Sequence, residues 1–409
     1  MSKKLIGACV FGQSGGPTSV INASAYGVIK TALEAEDITK VYGAAHGIVG
    51  VMNDELYDLG EEDPAELELL LNTPSSELGS CRYKLRDEED LQRILDVFKK
   101  YDIRYFFYNG GNDSMDTCNK ISQFMDKAGY ECRVMGVPKT IDNDLVGTDH
   151  CPGFGSAAKY IATSVAEVYK DAKVYDTGTI TILEIMGRNA GWLAGAAALA
   201  GLSGSPPDLI YLPEVPFDME EFLYKAETIY REKGNCIVVA SEGITYADGD
   251  FVAHASKSQT DGFGHAQLGG LAACLGSIVR GKIKAKVRAI ELSLLQRCGA
   301  HLASQTDIDE AFMAGKAAVE YALAGETGKM VAFTREDADG AYKCGVMLEP
   351  LTICANMEKT VPREWINEAG TYVTQEFIDY VLPLIQGENS RKLENGLPRF
   401  AKLKKVKAN

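Results

Sequence analysis

The chain of 409 residues sets 42 Lys and Arg against 57 Asp and Glu, a formal net charge of −15, with 46% hydrophobic and 24% charged residues. That length and balance suit two globular domains with their own cores and not a disordered chain. The negative field repels nucleic-acid phosphates and anionic lipids alike, so neither nucleic acid nor a membrane is expected as a partner, and an anionic small molecule must be held by local Arg, Lys and backbone N–H groups.

In chain order, a short basic start leads into an apolar run over 4–11 that ends at Gly12-Gln13-Ser14-Gly15 without a small-residue cleavage site, and it reads as a first strand, not a signal peptide. Further short apolar runs predict strands over 105–108, 133–137, 179–185, 208–212, 236–240, 286–292 and 330–333. Helix-period stretches lie between them, over 20–35, 115–128, 157–172, 219–231 and 308–323. Alternating strands and helices imply an α/β fold, with parallel sheets covered by helices and ligands at the C-terminal ends of strands. The longest apolar run, 192–202, is broken by Gly195 and Gly201 and falls short of the ~20 residues a membrane span needs. Ten cysteines stand singly, with no C-x-x-C pair, which argues against a zinc site or a disulfide framework and for reduced packing residues in a cytoplasmic protein. The basic tail over 393–409 is expected to fray.

Three motifs follow predicted strands. Gly12-Gln13-Ser14-Gly15-Gly16-Pro17-Thr18 precedes a helix and suits either a tight turn or a phosphate cradle; it matches neither the dinucleotide nor the P-loop pattern. Tyr108-Asn109-Gly110-Gly111-Asn112-Asp113-Ser114 brings a carboxamide and a carboxylate to a helix start, where a simple cap is the alternative. Pro138-Lys139-Thr140-Ile141-Asp142-Asn143-Asp144 collects two acids, a Lys and a Thr at a strand end. Two acids there supply a general base and an anchor for a divalent ion, the equipment for phosphoryl transfer to an alcohol.

With Met186-Gly187-Arg188, these loops resemble the phosphofructokinase family, in order from Gly12 to about Ala322. The resemblance implies two similar Rossmann-like three-layer αβα domains with a catalytic cleft between them. Residues 1–153 plus about 296–350 would hold the phosphoryl donor and Mg2+; 154–295 plus about 351–409 would hold fructose 6-phosphate. It assigns Asp142 as the base, Thr140, Ile141 and Asp144 to substrate and metal, Gly15, Arg82, Gly111, Asn112 and Ser114 to the donor, and Asn112 and Asp144 to Mg2+. Met186, Gly187, Arg188 and Glu242 would meet the sugar, and Arg288 and Arg297 its 6-phosphate, one of them across a subunit interface of a homodimer or homotetramer.

Two positions point to the donor. Asp113 and Lys139 stand where ATP-using members of the family keep glycine, so a carboxylate fills the place of the α-phosphate and a cation faces the departing phosphate. That is the pattern of the pyrophosphate-dependent branch. An ATP-dependent enzyme is the runner-up, and a non-catalytic sugar-phosphate-sensing subunit is disfavoured because Asp142, Asp144, Lys139 and Arg188 are all present. Departures remain: Asn112 replaces an acid, Thr179 and Leu294 replace an Arg and a His near the 6-phosphate, and Ala25 and Ile29 replace effector-binding arginines.

Overall fold

The computed structural model describes residues 4–174, 176–253, 268–338, 341–355 and 357–409. Eleven strands make the two main sheets: β1 (Gly7–Gln13), β2 (Ile38–Ala44), β3 (Leu56–Asp58), β4 (Ile103–Gly110), β5 (Arg133–Pro138), β6 (Thr179–Ile185), β7 (Leu209–Tyr211), β8 (Asn235–Ser241), β9 (Val287–Glu291), β10 (Lys329–Ala338) and β11 (Ala341–Pro350). The larger sheet has the order β11-β10-β5-β4-β1-β2-β3, parallel at its centre with antiparallel β3 and β11 at its edges. The smaller, β7-β8-β6-β9, is wholly parallel.

The central strands are buried along their whole length, as parallel strands with helices on both faces must be. One face of the larger sheet sends Cys9, Phe11, Tyr105 and Phe107 toward helices Ile21–Glu34 and Gln305–Leu323. Those helices touch backbone to backbone: a Cβ on Gly27 would lie 2.2 Å from the Phe312 carbonyl, and one on Gly315 would lie 2.1 Å from that of Ser24. The other face sends Val10, Phe106 and Tyr108 toward helices Glu88–Lys100 and Asn112–Lys127. Each phenylalanine so buried contributes about 1.5–3 kcal/mol. The smaller sheet packs on helix Phe154–Ala172 and Trp192 on one side, and on helices Met219–Lys233 and Leu271–Lys282 on the other.

All eight predicted strands and five predicted helices are present, with ends shifted by a few residues. Apolar runs alone miss β2, β3, β11 and helices Glu88–Lys100 and Leu271–Lys282. Helix Glu88–Lys100 was legible through its ends instead: Asp87 accepts from the Asp90 N–H, three acids fill the first turn, and Lys99 and Lys100 close the last. Nor does the tail fray. Carboxylates of Glu66 and Glu62 accept from the N–H groups of Lys402, Lys404 and Lys405 at 2.7 Å, and Ala408 N–H donates to the Leu56 carbonyl at 2.9 Å, so residues 399–408 run back along β3 beside the larger sheet. A basic segment on an acidic ledge, with its backbone donors satisfied, has no reason to come loose. Among the described residues no helix is long and apolar enough to cross a membrane.

Candidate active site

The cleft forms where strands stop. β1, β4 and β5 end side by side, with Gln13 opposite Asn109 and Gly110 opposite Pro138, so their three following loops open on one edge. After β1, Gly15 takes φ +76°, a conformation that disfavours any side chain; its N–H donates to the Cys81 carbonyl at 2.9 Å, and its carbonyl accepts from Ser80 Oγ at 2.7 Å. These bonds lay segment 80–84 over the loop and bring Arg82 and Lys84 to the cleft. After β4, Gly110 passes so close to Ser114 Oγ that a Cβ would lie 2.0 Å from it. Gly111 then caps helix Asn112–Lys127, so Asn112, Asp113 and Ser114 sit in the first turn, at the positive end of the helix dipole. Lys84 Nζ stands 3.6 Å from Asp113 Oδ1.

After β5 the chain turns sharply. Asn143 takes φ +54°, and the Asp142 N–H donates to Thr140 Oγ1 at 3.1 Å, which points Asp142 and Asp144 into the cleft. The opposite wall comes from the smaller sheet. Beyond β6 the Gly187 N–H donates to Glu242 Oε1 at 3.4 Å, joining the Met186-Gly187-Arg188 loop to the acid that follows β8. The enclosed volume is about 620 Å³.

Charge is concentrated here out of water. Lys139 is only 4% exposed and donates to the Gly16 carbonyl at 2.7 Å; burial lowers its pKa from 10.5 to about 8 against the pull of Asp142. Burial also lowers Arg297, and Arg82 adds to that shift. A Cβ on Gly16 would lie 3.2 Å from Arg297 Nη1 and 3.6 Å from Arg82 Nη2, so two guanidinium groups and an ammonium converge on one loop. Cations gathered this closely on one loop attract an anionic ligand strongly. On the acid side, burial raises Asp142, with Lys139 and Arg188 drawing it back. Asp144 is pushed up to about 7, first by burial and then by the Asp142 and Glu358 carboxylates, and burial lifts Glu242 to about 7. Carboxyls held that high are suited to take up and release a proton near neutral pH.

A divalent ion fits one corner. Asn112 Nδ2 donates to Asp144 Oδ2 at 3.4 Å, while Asn112 Oδ1 is buried with no hydrogen-bond partner. An orphaned oxygen beside a carboxylate is a hard, oxygen-only donor set.

Of the residues singled out from sequence, Gly15, Arg82, Gly111, Asn112, Asp113, Ser114, Lys139, Thr140, Asp142, Asp144, Met186, Arg188 and Glu242 line the cleft. Four do not. Ile141 packs into the core under the turn, Gly187 meets Glu242 through its N–H, and Arg297 comes close to Gly16 without lining the cleft. Arg288 lies exposed on the edge strand β9, apart from Arg297. The structure adds Gly16, Lys84, Asn189, Ala190, Met357 and Glu358 to the lining. Lys84 had a signal, being two residues from Arg82 on an extended segment; Met357 and Glu358 had none.

The phosphofructokinase family model matches residues 9–321, which span every loop just described except the 357–358 segment. The chain belongs to the phosphofructokinase family. A pyrophosphate–fructose 6-phosphate 1-phosphotransferase of Halomonas elongata is 46% identical over 403 residues, covering 97% of this chain and 96% of its own. The crystal structure of a pyrophosphate-dependent phosphofructokinase from Marinobacter aquaeolei superposes with a TM-score of 0.90 at 43% identity, over 99% of this chain and 98% of that one. A sulfofructose kinase of Alkalicoccus urumqiensis is more distant, 33% identical over 91% of this chain and 95% of its own. Within this phosphofructokinase the two walls of the cleft come from different sheets, so donor and acceptor can be held on separate frames.

Proposed function

We propose that this phosphofructokinase transfers a phosphoryl group reversibly from pyrophosphate to the 1-hydroxyl of fructose 6-phosphate, giving fructose 1,6-bisphosphate and phosphate, a step of glycolysis. One observation carries the choice of donor: Lys139 is buried and tied to Gly16 while Asp113 faces Lys84, so both places that ATP-using members leave open are filled. The relatives named for pyrophosphate, at 40–46% identity, support the same donor and sugar, against one named for sulfofructose at 33%.

In this reading Asp142 takes the proton of the 1-hydroxyl as the oxygen attacks. Lys139 and Arg188 meet the negative charge that gathers on the transferring and departing phosphates. Arg82 and the Gly15, Gly111 and Ser114 loops hold pyrophosphate, and Asp113 keeps a longer nucleotide chain out by volume and like charge. Glu242, Met186, Gly187 and Thr140 seat the sugar. Asn112 and Asp144 would hold Mg2+, which when bound supplies charge neutralisation on the pyrophosphate oxygens. Arg297 reaches the anions from its own chain, whereas Arg288, exposed on an edge strand, serves a neighbouring subunit's 6-phosphate in a homodimer or homotetramer.

A coupled assay with fructose 6-phosphate and either pyrophosphate or ATP tests this. Turnover with pyrophosphate alone is expected; ATP as the better donor overturns the assignment, and no turnover with either donor favours a sensing subunit.

A further inference from the structure

The catalytic turn depends on one residue held in an unusual backbone conformation. Asn143, between Asp142 and Asp144, has φ +54° and is fully buried, and both ends of its amide are committed. Its Oδ1 accepts from the Cys151 N–H at 2.9 Å, and its Nδ2 donates to the Tyr380 hydroxyl at 2.9 Å. The backbone N–H of Cys151 requires an acceptor, so the amide cannot turn over, and its NH₂ must face Tyr380. The Tyr380 proton is in turn donated to the Asp149 carbonyl at 2.7 Å, leaving the oxygen free to accept. The direction of each bond from Asn143 to Tyr380 to Asp149 is thus fixed in one arrangement.

Tyr380 is fixed as firmly as what it fixes. It lies on helix Gln375–Val381 with the Arg335 guanidinium 4.7 Å above its ring, and Trp192 and Trp365 each 5.3 Å away. Arg335 also pairs with Asp149 at 3.1 Å and donates to the Tyr380 carbonyl at 3.0 Å. The same C-terminal part of the chain grips the turn a second time, for the Lys359 N–H donates to the Asp144 carbonyl at 2.7 Å. Tyr380, Arg335, Trp365 and Lys359 all lie beyond residue 321, where the family match ends.

We propose that Tyr380 is a positioning residue for the reaction: its hydroxyl holds Asn143, and through it the geometry of Asp142 and Asp144, so that the C-terminal segment completes the active site from behind. The inference rests on the catalytic reading of Asp142 given above. It differs from a packing role because the hydroxyl, and not the ring, makes the contact.

Tyr380→Phe in the full-length enzyme separates the two, since it removes one oxygen and keeps the ring. Because small misplacements of reacting groups slow chemistry more than binding, the variant is expected to lose roughly tenfold in kcat, with KM for pyrophosphate and fructose 6-phosphate each within about twofold. Trp192 and Trp365, the chain's two tryptophans, report on packing around residue 380, and their emission should not change. Hydrogen exchange of the amides of residues 142–151 should rise about tenfold. Asn143→Gly, which keeps the positive φ but cuts the link, should reproduce the kcat loss, and the double variant should lose little more. Unchanged kcat with unchanged exchange overturns the proposal, as does a loss in which KM, emission and melting temperature all move together. Wild-type turnover tests the catalytic reading separately, and the exchange comparison needs no turnover.

Discussion

The buried ammonium of Lys139 donates to the Gly16 carbonyl at 2.7 Å, tying the turn after β5 to the loop after β1 across the donor end of the cleft. Its pKa of about 8, against 10.5 ordinarily, is a stability statement. Between pH 8 and 10.5 the unfolded chain holds the proton that the folded chain has shed, so this group makes stability rise with pH across that window. Below pH 8 both states are charged and the full cost of burial remains. Lys139→Met should therefore raise the melting temperature of the ligand-free protein at pH 7, by about 1 °C for each kcal/mol recovered in a chain of this length, and remove the rise above pH 8. Calorimetry across pH 6.5–10 checks this, and a lower melting temperature at pH 7 contradicts it.

The same ammonium must be charged to meet phosphate. For the wild type, kcat/KM for pyrophosphate should fall as pH rises through about 8. Lys139→Arg, whose guanidinium stays charged, should move that limb upward even if it lowers the maximum. A limb that does not move assigns it to another group.

Asp142→Asn keeps the size and hydrogen-bonding shape of the side chain but cannot take a proton. Turnover should fall about 10²-fold or more with little change in substrate KM. Retention of near-normal turnover would remove Asp142 as the base.

The corner formed by Asn112 and Asp144 predicts a pH-dependent ion affinity. Asp144 is held up at about 7, and only its carboxylate form binds a cation well. Binding of Mn2+, followed by its paramagnetic signal, should tighten as pH rises from 6 to 8. Asn112→Asp should strengthen it further, whereas Asp144→Asn should weaken it and abolish the pH dependence. Equal affinity at pH 6 and 8 would place the ion elsewhere.

What was legible in the sequence follows from what each residue does locally. The Gly-rich and Asp-rich loops could be read because a strand end, a turn conformation and a charge coincide within seven residues, as at Lys139 to Asp144. Helix Glu88–Lys100 carries no continuous apolar run, because its signal lies in its cap and end charges. Tyr380 and Glu358 were invisible for a different reason. Each acts on a turn more than two hundred residues away, through a bond that only the folded chain closes. Arg288 and Arg297 show the reverse: nine residues apart in sequence, they face different directions within one chain, because β9 ends between them.

That separation is testable. Arg297→Ala removes a cation next to Gly16 and Arg82, and should raise KM for the anionic substrates by the loss of a charge-assisted bond, about 1.5–3 kcal/mol. Arg288→Ala should do so only if β9 meets a neighbouring subunit. Mixing an Arg288→Ala chain with an Asp142→Asn chain then recovers partial activity in hybrid oligomers, because one site in each pair regains both residues. No recovery on mixing, with a normal oligomer by light scattering, argues against a shared site.

The donor itself can be put to the test through the two filled positions. Asp113→Gly takes the carboxylate from the space an α-phosphate needs and frees its partner Lys84, 3.6 Å away, to meet that phosphate instead. ATP should therefore gain measurable activity, although no adenine pocket has been built. Lys139→Gly acts on different physics. It deletes a buried cation facing the departing phosphate, so the pyrophosphate reaction should lose about 2.7–4 kcal/mol of transition-state stabilisation, the cost of removing one preorganised donor. It also releases Gly16, so part of the loss should appear as a higher KM for pyrophosphate. Measuring kcat/KM for both donors in the two single variants and the double variant gives the ratio directly, and the effects should not simply add, since both side chains touch one ligand. Should Asp113→Gly leave ATP at background while Lys139→Gly spares pyrophosphate, neither residue selects the donor, and the preference would have to arise from the outer part of the cleft, around Lys84 and Glu358.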